Sequence, residues 1–102
     1  MLDTRLSDDI VLRCDAVLRC DALIDRVAAT PVGANAHSLK VMLAECDAIE
    51  RAIADPVAIC RLRDVRHWLR LAYGHTLHGY PPPHLRVNLL RALEAFRAAS
   101  RI

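Results

Sequence analysis

Residues 35–53, NAHSLKVMLAECDAIERAI, carry the most regular hydrophobic pattern of the chain. Asn35, a preferred N-cap residue, stands just before the pattern starts. The apolar residues then recur at alternating spacings of three and four, as on one face of an α-helix. These residues are Leu39, Met42, Cys46, Ile49 and Ile53. The stretch therefore predicts an amphipathic helix that begins after Asn35 and buries one face.

A longer helical pattern precedes this stretch. Ser7, followed by two acidic residues, predicts an N-cap, and the Thr30-Pro31-Val32-Gly33 sequence predicts a turn after Ala29. The predicted core stripe of this first helix consists of Leu12, Ala16, Cys20, Leu23 and Val27. The helix also contains a tandem hexapeptide, VLRCDA at 11–16 and again at 17–22. Six residues turn a helix by about 600°, so the two copies cannot present the same face.

Two further helices are predicted in the second half of the chain. Asp55-Pro56 predicts a tight corner, because the residue before proline avoids the helical region while proline suits the first helical position. Gly79 is the expected C-cap of the third helix, with Gly74 as an alternative end one turn earlier. The third core stripe is Ala58, Leu62, Val65, Leu69, Ala72 and Thr76.

The fourth helix follows a proline-rich connector. Pro83 can start it, and its pattern ends near Ser100. Its predicted core residues are Leu85, Leu89, Ala92, Phe96 and Ala99.

The composition agrees with an all-α fold. The chain has 102 residues, of which 54% are hydrophobic and only 4% aromatic, and alanine and leucine dominate. We expect one helical domain over 1–102, either a four-helix antiparallel bundle or a pair of helical hairpins, completed by dimerisation. A formal net charge of +2 does not by itself indicate nucleic-acid binding.

The cysteines and the N-terminal residues indicate the cellular compartment in which we expect the protein. The four cysteines lack the close spacing of a zinc site, so free thiols in a reducing compartment are expected. The charged N-terminal residues do not resemble a secretory signal, and no apolar run is long enough to span a membrane. Nearly all cationic residues are arginine, which is typical of a GC-rich genome. We therefore expect a bacterial, cytoplasmic protein.

Val11 and Leu18 form a second apolar line on the first helix, opposite its predicted core stripe. A purely solvated helix face does not need such a line, so it indicates a further contact, either within the chain or with a second copy. Because two-fold dimers are the commonest way to bury one, the pair predicts a homodimer.

Three arginines share one face of the third helix. Arg63, Arg66 and Arg70 recur at three-four spacing, and Tyr73 continues the line. Such a stripe could bind phosphates or an acidic partner helix, since arginine offers several planar donors. A solvated face, partly paired with Asp64 and with acids of the first helix, is the alternative interpretation.

Ala36-His37-Ser38-Leu39-Lys40 resembles the core motif of histidine phosphotransfer domains. The resemblance implies that His37 accepts a phosphoryl group and that Lys40 balances its charge. Val41 stands where that family has glycine, and His37 lies close to the predicted helix start. The alternative is an ordinary solvated histidine.

Other histidines gather near the end of the third helix. His75 and His78 are three residues apart, and His84 follows the prolines, so the three could form a metal site. His67 lies about two turns before His75. Favourable interaction of histidines with a helix C-terminus explains the same residues without a metal.

Trp68, Leu71 and Ala72 match the first-helix signature of a tetratricopeptide hairpin, which the segment through Phe96 resembles. This resemblance implies a partner-binding helical module. The leading hypothesis is therefore a non-enzymatic protein–protein interaction module, such as a regulator, adaptor or chaperone-like protein, without cofactor or metal. The alternatives are a nucleic-acid-binding regulator that uses the arginine stripe and a phosphotransfer module at His37.

Overall fold

The computed structural model describes the backbone of residues 4–74 and 82–100 and the side chains of residues 11, 14–74 and 83–100. These ranges contain four α-helices and no strand, which confirms the predicted all-α fold. The helices are α1 (Thr4–Ala29), α2 (Ala36–Arg51), α3 (Pro56–Tyr73) and α4 (Pro82–Ala99).

The start of α2 agrees with the sequence prediction. The Asn35 side-chain oxygen accepts a hydrogen bond from the Ser38 N–H at 3.0 Å, as an N-cap does. The preceding turn is tied to the end of α3, because the Gly33 N–H donates to the Ala72 carbonyl at 3.0 Å. Gly33 has φ 152°, a conformation that side chains rarely adopt, so glycine suits this position.

The corner between α2 and α3 is also confirmed. The Asp55 carboxylate accepts a hydrogen bond from the Val57 N–H at 3.2 Å, and Pro56 is the first residue of α3. Proline at this position loses no helical hydrogen bond, since the first N–H groups of a helix have no intrahelical partner.

The predicted start of the first helix differs from the structure, and the predicted alternative end of the third helix at Gly74 is confirmed. Helix α1 begins at Thr4, so Ser7 lies within the helix. Helix α3 ends at Tyr73 with Gly74 as its C-cap, where a Cβ atom would collide with the Arg70 carbonyl oxygen. The chain leaves the helix there because Gly74 is extended, with ψ 167°. The predicted core residue Thr76 and the predicted cap Gly79 lie outside the described residues.

The four helices form a closed ring in which α1 packs on α2 and α4, and α3 packs on α2 and α4. Asp21 of α1 pairs with Arg97 near the end of α4, while the Ala28 carbonyl accepts from Arg86 near its beginning. Helices α1 and α4 are therefore antiparallel. The predicted stripes meet in one core, in which the side chains with exposure of 2% or less include Cys20, Leu23, Val27, Met42, Cys46, Ile49, Leu62, Val65, Leu69, Leu85, Leu89 and Phe96.

Some predicted core residues lie at its margin. Leu39, Ile53 and Ala99 are partly buried, whereas Leu93, which is not part of the predicted stripe, is fully buried. The side chain of Leu12 lies outside the described set.

Helix α1 is longer than its neighbours. It has 26 residues, against 16 to 18 in α2, α3 and α4. Arg19 of α1 is level with Glu45 of α2, to which it hydrogen-bonds. At 1.5 Å per residue, α1 continues for about 22 Å beyond Arg19, whereas α2 continues for only about 9 Å beyond Glu45. The N-terminal part of α1 therefore projects past the end of α2.

Candidate interaction surfaces

The outer face of α1 is the face that carries Val11, Cys14 and Leu18. Val11 is 65% exposed, Leu18 is 68% exposed, and Cys14 between them is also exposed. These residues are three and four apart, so they lie in one line along the helix. The structure thus places both predicted apolar residues in solvent, on the side of α1 opposite its buried residues Ala16 and Cys20.

The two flanks of the outer face differ in chemistry. On the side toward α2, Arg19 donates to Asp15 at 2.9 Å and to Glu45 at 3.0 Å. These hydrogen bonds raise the pKa of Arg19, and the bond to Asp15 contributes most. On the side toward α4, Val17 is half-buried and lies one turn before Asp21, which pairs with Arg97 of α4. Both flanks therefore carry an ion pair, and the flank toward α4 also carries the apolar side chain of Val17.

The three arginines of α3 lie in different environments in the structure. Arg66 is bound to α2: its guanidinium donates to Asp47 at 2.9 Å and to Glu50 at 3.1 and 3.2 Å. Only 14% of its side chain is exposed, and the hydrogen bonds to Glu50 raise its pKa most. Arg63 and Arg70 remain exposed. The middle arginine of the stripe thus holds two helices together.

Tyr73 does not continue the exposed line. Its side chain is fully buried, and its hydroxyl donates to the Thr30 carbonyl at 2.9 Å and lies 3.4 Å from the Val27 carbonyl. Burial raises the pKa of this phenol. Tyr73 ends α3 beside the α1–α2 turn, so its ring fills the core while its hydroxyl caps carbonyl groups at the end of α1. Asp64, the predicted neighbour of the stripe, lies 4.0 Å from Arg61 instead.

A shallow groove of about 480 Å³ runs along α2 and was not predicted from the sequence. Leu39 and Leu43 are partly buried within it, and Lys40 and Asp47 are exposed beside them. Leu43 is the signal that could have indicated it, because this leucine lies outside the regular core stripe of α2. Asp47 at one end of the groove is the residue that pairs with Arg66.

The histidines remain apart among the described residues. His37 is exposed in the first turn of α2, with exposed Lys40 one turn later. His67 is exposed and packs edge-on against Trp68, with ring centroids 5.4 Å apart. His84 is exposed in α4, while His75 and His78 lie outside the described residues. Within the described part of the chain, no three histidine, cysteine or acidic side chains are grouped to hold a metal ion.

The four cysteines are free and divide into two classes. Cys20 of α1 and Cys46 of α2 are buried, and Cys14 and Cys60 are exposed. Burial raises the pKa of both Cys20 and Cys46 to about 12. The thiol of Cys20 lies 3.7 Å from the Leu93 carbonyl, which it can contact as a weak donor.

Comparisons with protein-family models, with curated proteins and with solved structures find no match for this chain. None of the helices in the described ranges is both long and apolar enough to cross a lipid bilayer.

Proposed function

We propose that this chain is a helical protein–protein interaction module that forms a homodimer through the outer face of α1. The exposure of Val11 and Leu18 on one line of a helix carries this proposal. Full burial of an aliphatic side chain of this size contributes about 1.5–3 kcal/mol, which favours a partner that covers both. A two-fold interface uses the same surface twice and needs no second protein.

The proposed role is that of a regulator, adaptor or chaperone-like protein, with no reaction assigned to it. Cytoplasmic location is part of the proposal. Four free thiols, two of them exposed, suit a reducing compartment, where cysteines stay unpaired.

The test is the molar mass in solution, measured by light scattering over a range of micromolar concentrations. We expect the 11.4 kDa chain to reach twice its mass as concentration rises. Leu18→Arg should keep the helical content and shift the protein to monomer, because a charge would then face the partner. Val87→Arg on α4, at another exposed valine, is the matched control and should leave the dimer intact.

A monomer at every concentration would contradict the homodimer. A dimer that Leu18→Arg leaves unchanged would place the interface elsewhere.

Nucleic-acid binding is a second candidate, favoured by the exposure of Arg63 and Arg70 on α3. Arg66, which stands between them, is bound to Asp47 and Glu50, and these carboxylates reduce the positive potential of the stripe. We therefore expect dissociation constants for duplex DNA weaker than about 10⁻⁵ M at physiological salt. Fluorescence anisotropy with the Arg63→Ala/Arg70→Ala double variant tests this. Submicromolar binding that the double variant abolishes would place nucleic acid first.

A further inference from the structure

We infer that the groove along α2 binds an amphipathic helix whose apolar side chains are flanked by aspartate or glutamate. The groove lies on α2, whereas the proposed homodimer interface lies on α1. The inference therefore adds a second surface to the proposed interaction module and does not depend on the homodimer.

The dimensions of the groove match one face of a helix. The groove extends along α2 from Ala36 to Asp47, which is about 16 Å, or three helical turns. Leu39 and Leu43 lie one turn apart in it, and both are only partly buried. A helix that binds in an apolar groove presents aliphatic side chains at i, i+4 and i+7 along one face. Two or three such side chains would cover the leucines of the groove.

The carboxylates nearest the groove are already paired. Asp47 lines the groove and accepts from Arg66 of α3 at 2.9 Å. Glu50 accepts from the same guanidinium at 3.1 and 3.2 Å. Both carboxylates are therefore engaged within the chain.

Arg70 of α3 stands beside the groove. Arg66, one turn before it on the same helix face, hydrogen-bonds to Asp47 of α2. The Tyr73 carbonyl, just after it, accepts from the Asn35 N–H at the start of α2. Arg70 is therefore level with the stretch of α2 between these two contacts, which is the stretch that forms the groove.

The cations around the groove have no carboxylate partner in the part of the chain that the structure describes. They are Lys40, Arg51 and Arg70, and all are exposed. Lys40 lines the groove, and Arg51 follows Asp47 by one turn on the same face of α2. The first turn of α2 contains no acidic residue, so its own side chains do not offset the partial positive charge of the helix N-terminus. The rim of the groove is therefore cationic.

An apolar floor and a cationic rim together define the chemistry of the partner. Aliphatic side chains of the partner cover Leu39 and Leu43, while its carboxylates reach Lys40 and Arg70 and form charge-assisted hydrogen bonds. A phosphate backbone would pair with the cations but has no apolar group to cover the leucines. The floor therefore favours an acidic helix over nucleic acid.

A display library of helical peptides, selected on the full chain, tests this inference. Each peptide has about 14 residues, enough for the three turns of the groove. Leucine is fixed at i, i+4 and i+7, and the flanking positions vary among glutamate, lysine and glutamine. We expect selection of peptides with glutamate flanks. The best of them should bind at least about fivefold more tightly than its lysine-flanked counterpart, measured by fluorescence anisotropy.

A neutral substitution tests the place of binding. Ala44 is exposed in the groove, so Ala44→Gln extends an uncharged side chain into it and should weaken binding of the selected peptide by about tenfold or more. Ala98→Gln on α4, at another exposed alanine, is the matched control and should bind as the unaltered chain does.

Charge reversal tests the rim. Lys40→Glu/Arg70→Glu should invert the preference, so that the lysine-flanked peptide binds at least about fivefold more tightly than the glutamate-flanked one. Arg26→Glu/Arg91→Glu changes the net charge equally, at exposed arginines of α1 and α4, and should keep the glutamate preference. Circular dichroism of every variant checks that the helices remain.

Three outcomes would overturn the inference: no enriched peptide, binding that Ala44→Gln leaves unchanged, or a glutamate preference that survives Lys40→Glu/Arg70→Glu. Displacement of the labelled peptide by submicromolar duplex DNA at physiological salt would also overturn it, in favour of nucleic acid. Each of these outcomes leaves the proposed homodimer standing. Conversely, Leu18→Arg should bind the peptide as the unaltered chain does, whether or not the homodimer forms.

Discussion

The two hexapeptides VLRCDA at 11–16 and 17–22 are identical in sequence and different in environment. Cys14 of the first is exposed, whereas Cys20 of the second is buried. Ala16 of the first is fully buried, whereas Ala22 of the second is exposed. Equivalent positions lie about 120° apart around the helix, so the cysteine and the alanine of the repeat each lie once in the core and once in solvent. Position around the axis, and not residue type, decides what these side chains do.

The aspartates of the two hexapeptides also differ, because they form ion pairs with partners on different helices. Asp15 pairs with Arg19 of its own helix at 2.9 Å. Asp21 pairs with Arg97 of α4 at 2.6 Å and so joins two helices. The first pair can form in any isolated helix with this sequence, whereas the second requires the folded bundle.

The largest expected effect is on thiol reactivity. In dilute solution, where the proposed dimer dissociates, Cys14 should react freely with a maleimide, whereas Cys20 should react only when the core opens, slower by about 10³-fold or more for a domain of ordinary stability. Mass spectrometry of timed samples measures the rate at each site. Cys60 and Cys46 are a second exposed and buried pair and should show the same contrast. Equal rates at Cys14 and Cys20 would mean that the described core is wrong.

Alkaline pH should lower the free energy of unfolding through the buried thiols. Cys20 and Cys46 have pKa values of about 12, above the ordinary 9.0, so the folded chain holds protons that the unfolded chain releases. This contribution is complete below about pH 9 and is lost as pH rises toward 12, by up to about 1.4 kcal/mol per pH unit for each thiol. Urea unfolding between pH 8 and 11 measures it. Cys20→Ala should reduce the slope, and Cys14→Ala should not.

The next largest effect should come from enlarging the alanine of each hexapeptide, because only one of the two alanines is buried. Ala16→Leu inserts a side chain where exposure is zero, and overpacking of this kind costs about 1–3 kcal/mol. Ala22→Leu, at the equivalent exposed position, should change the free energy of unfolding by less than about 0.5 kcal/mol. Urea unfolding of both variants at one pH gives the comparison. Equal losses would show that the two positions do not differ in burial.

The smallest expected effect comes from the aspartates. Asp21→Asn removes the ion pair with Arg97 between helices, whereas Asp15→Asn removes a pair within α1. Both pairs are partly solvated, so the losses should be smaller than that of Ala16→Leu, with Asp21→Asn the larger of the two. Thermal unfolding at low and high salt checks this. High salt should reduce both losses, because it screens exposed charges.

Much of the candidate interaction surface could be predicted from the sequence. Which of its side chains stay exposed and which bind a neighbouring helix could not. Val11 and Leu18 follow from helical periodicity alone, since their line falls opposite the core stripe. Arg66 shares its helix face with Arg63 and Arg70 and is nevertheless bound to Asp47 and Glu50. Periodicity describes one helix at a time, so it cannot indicate which neighbour supplies a countercharge.

The sequence by itself determined the elements of this protein: four helices, the face that each buries, and the caps at Asn35 and Asp55. These features depend on residues at most a few helical turns apart, so the spacing of residues along the sequence is enough to predict them. Only the tertiary structure decided that Tyr73 lies in the core and that Arg66 joins two helices. Each depends on which helices become neighbours and at what level along their axes, and packing sets both.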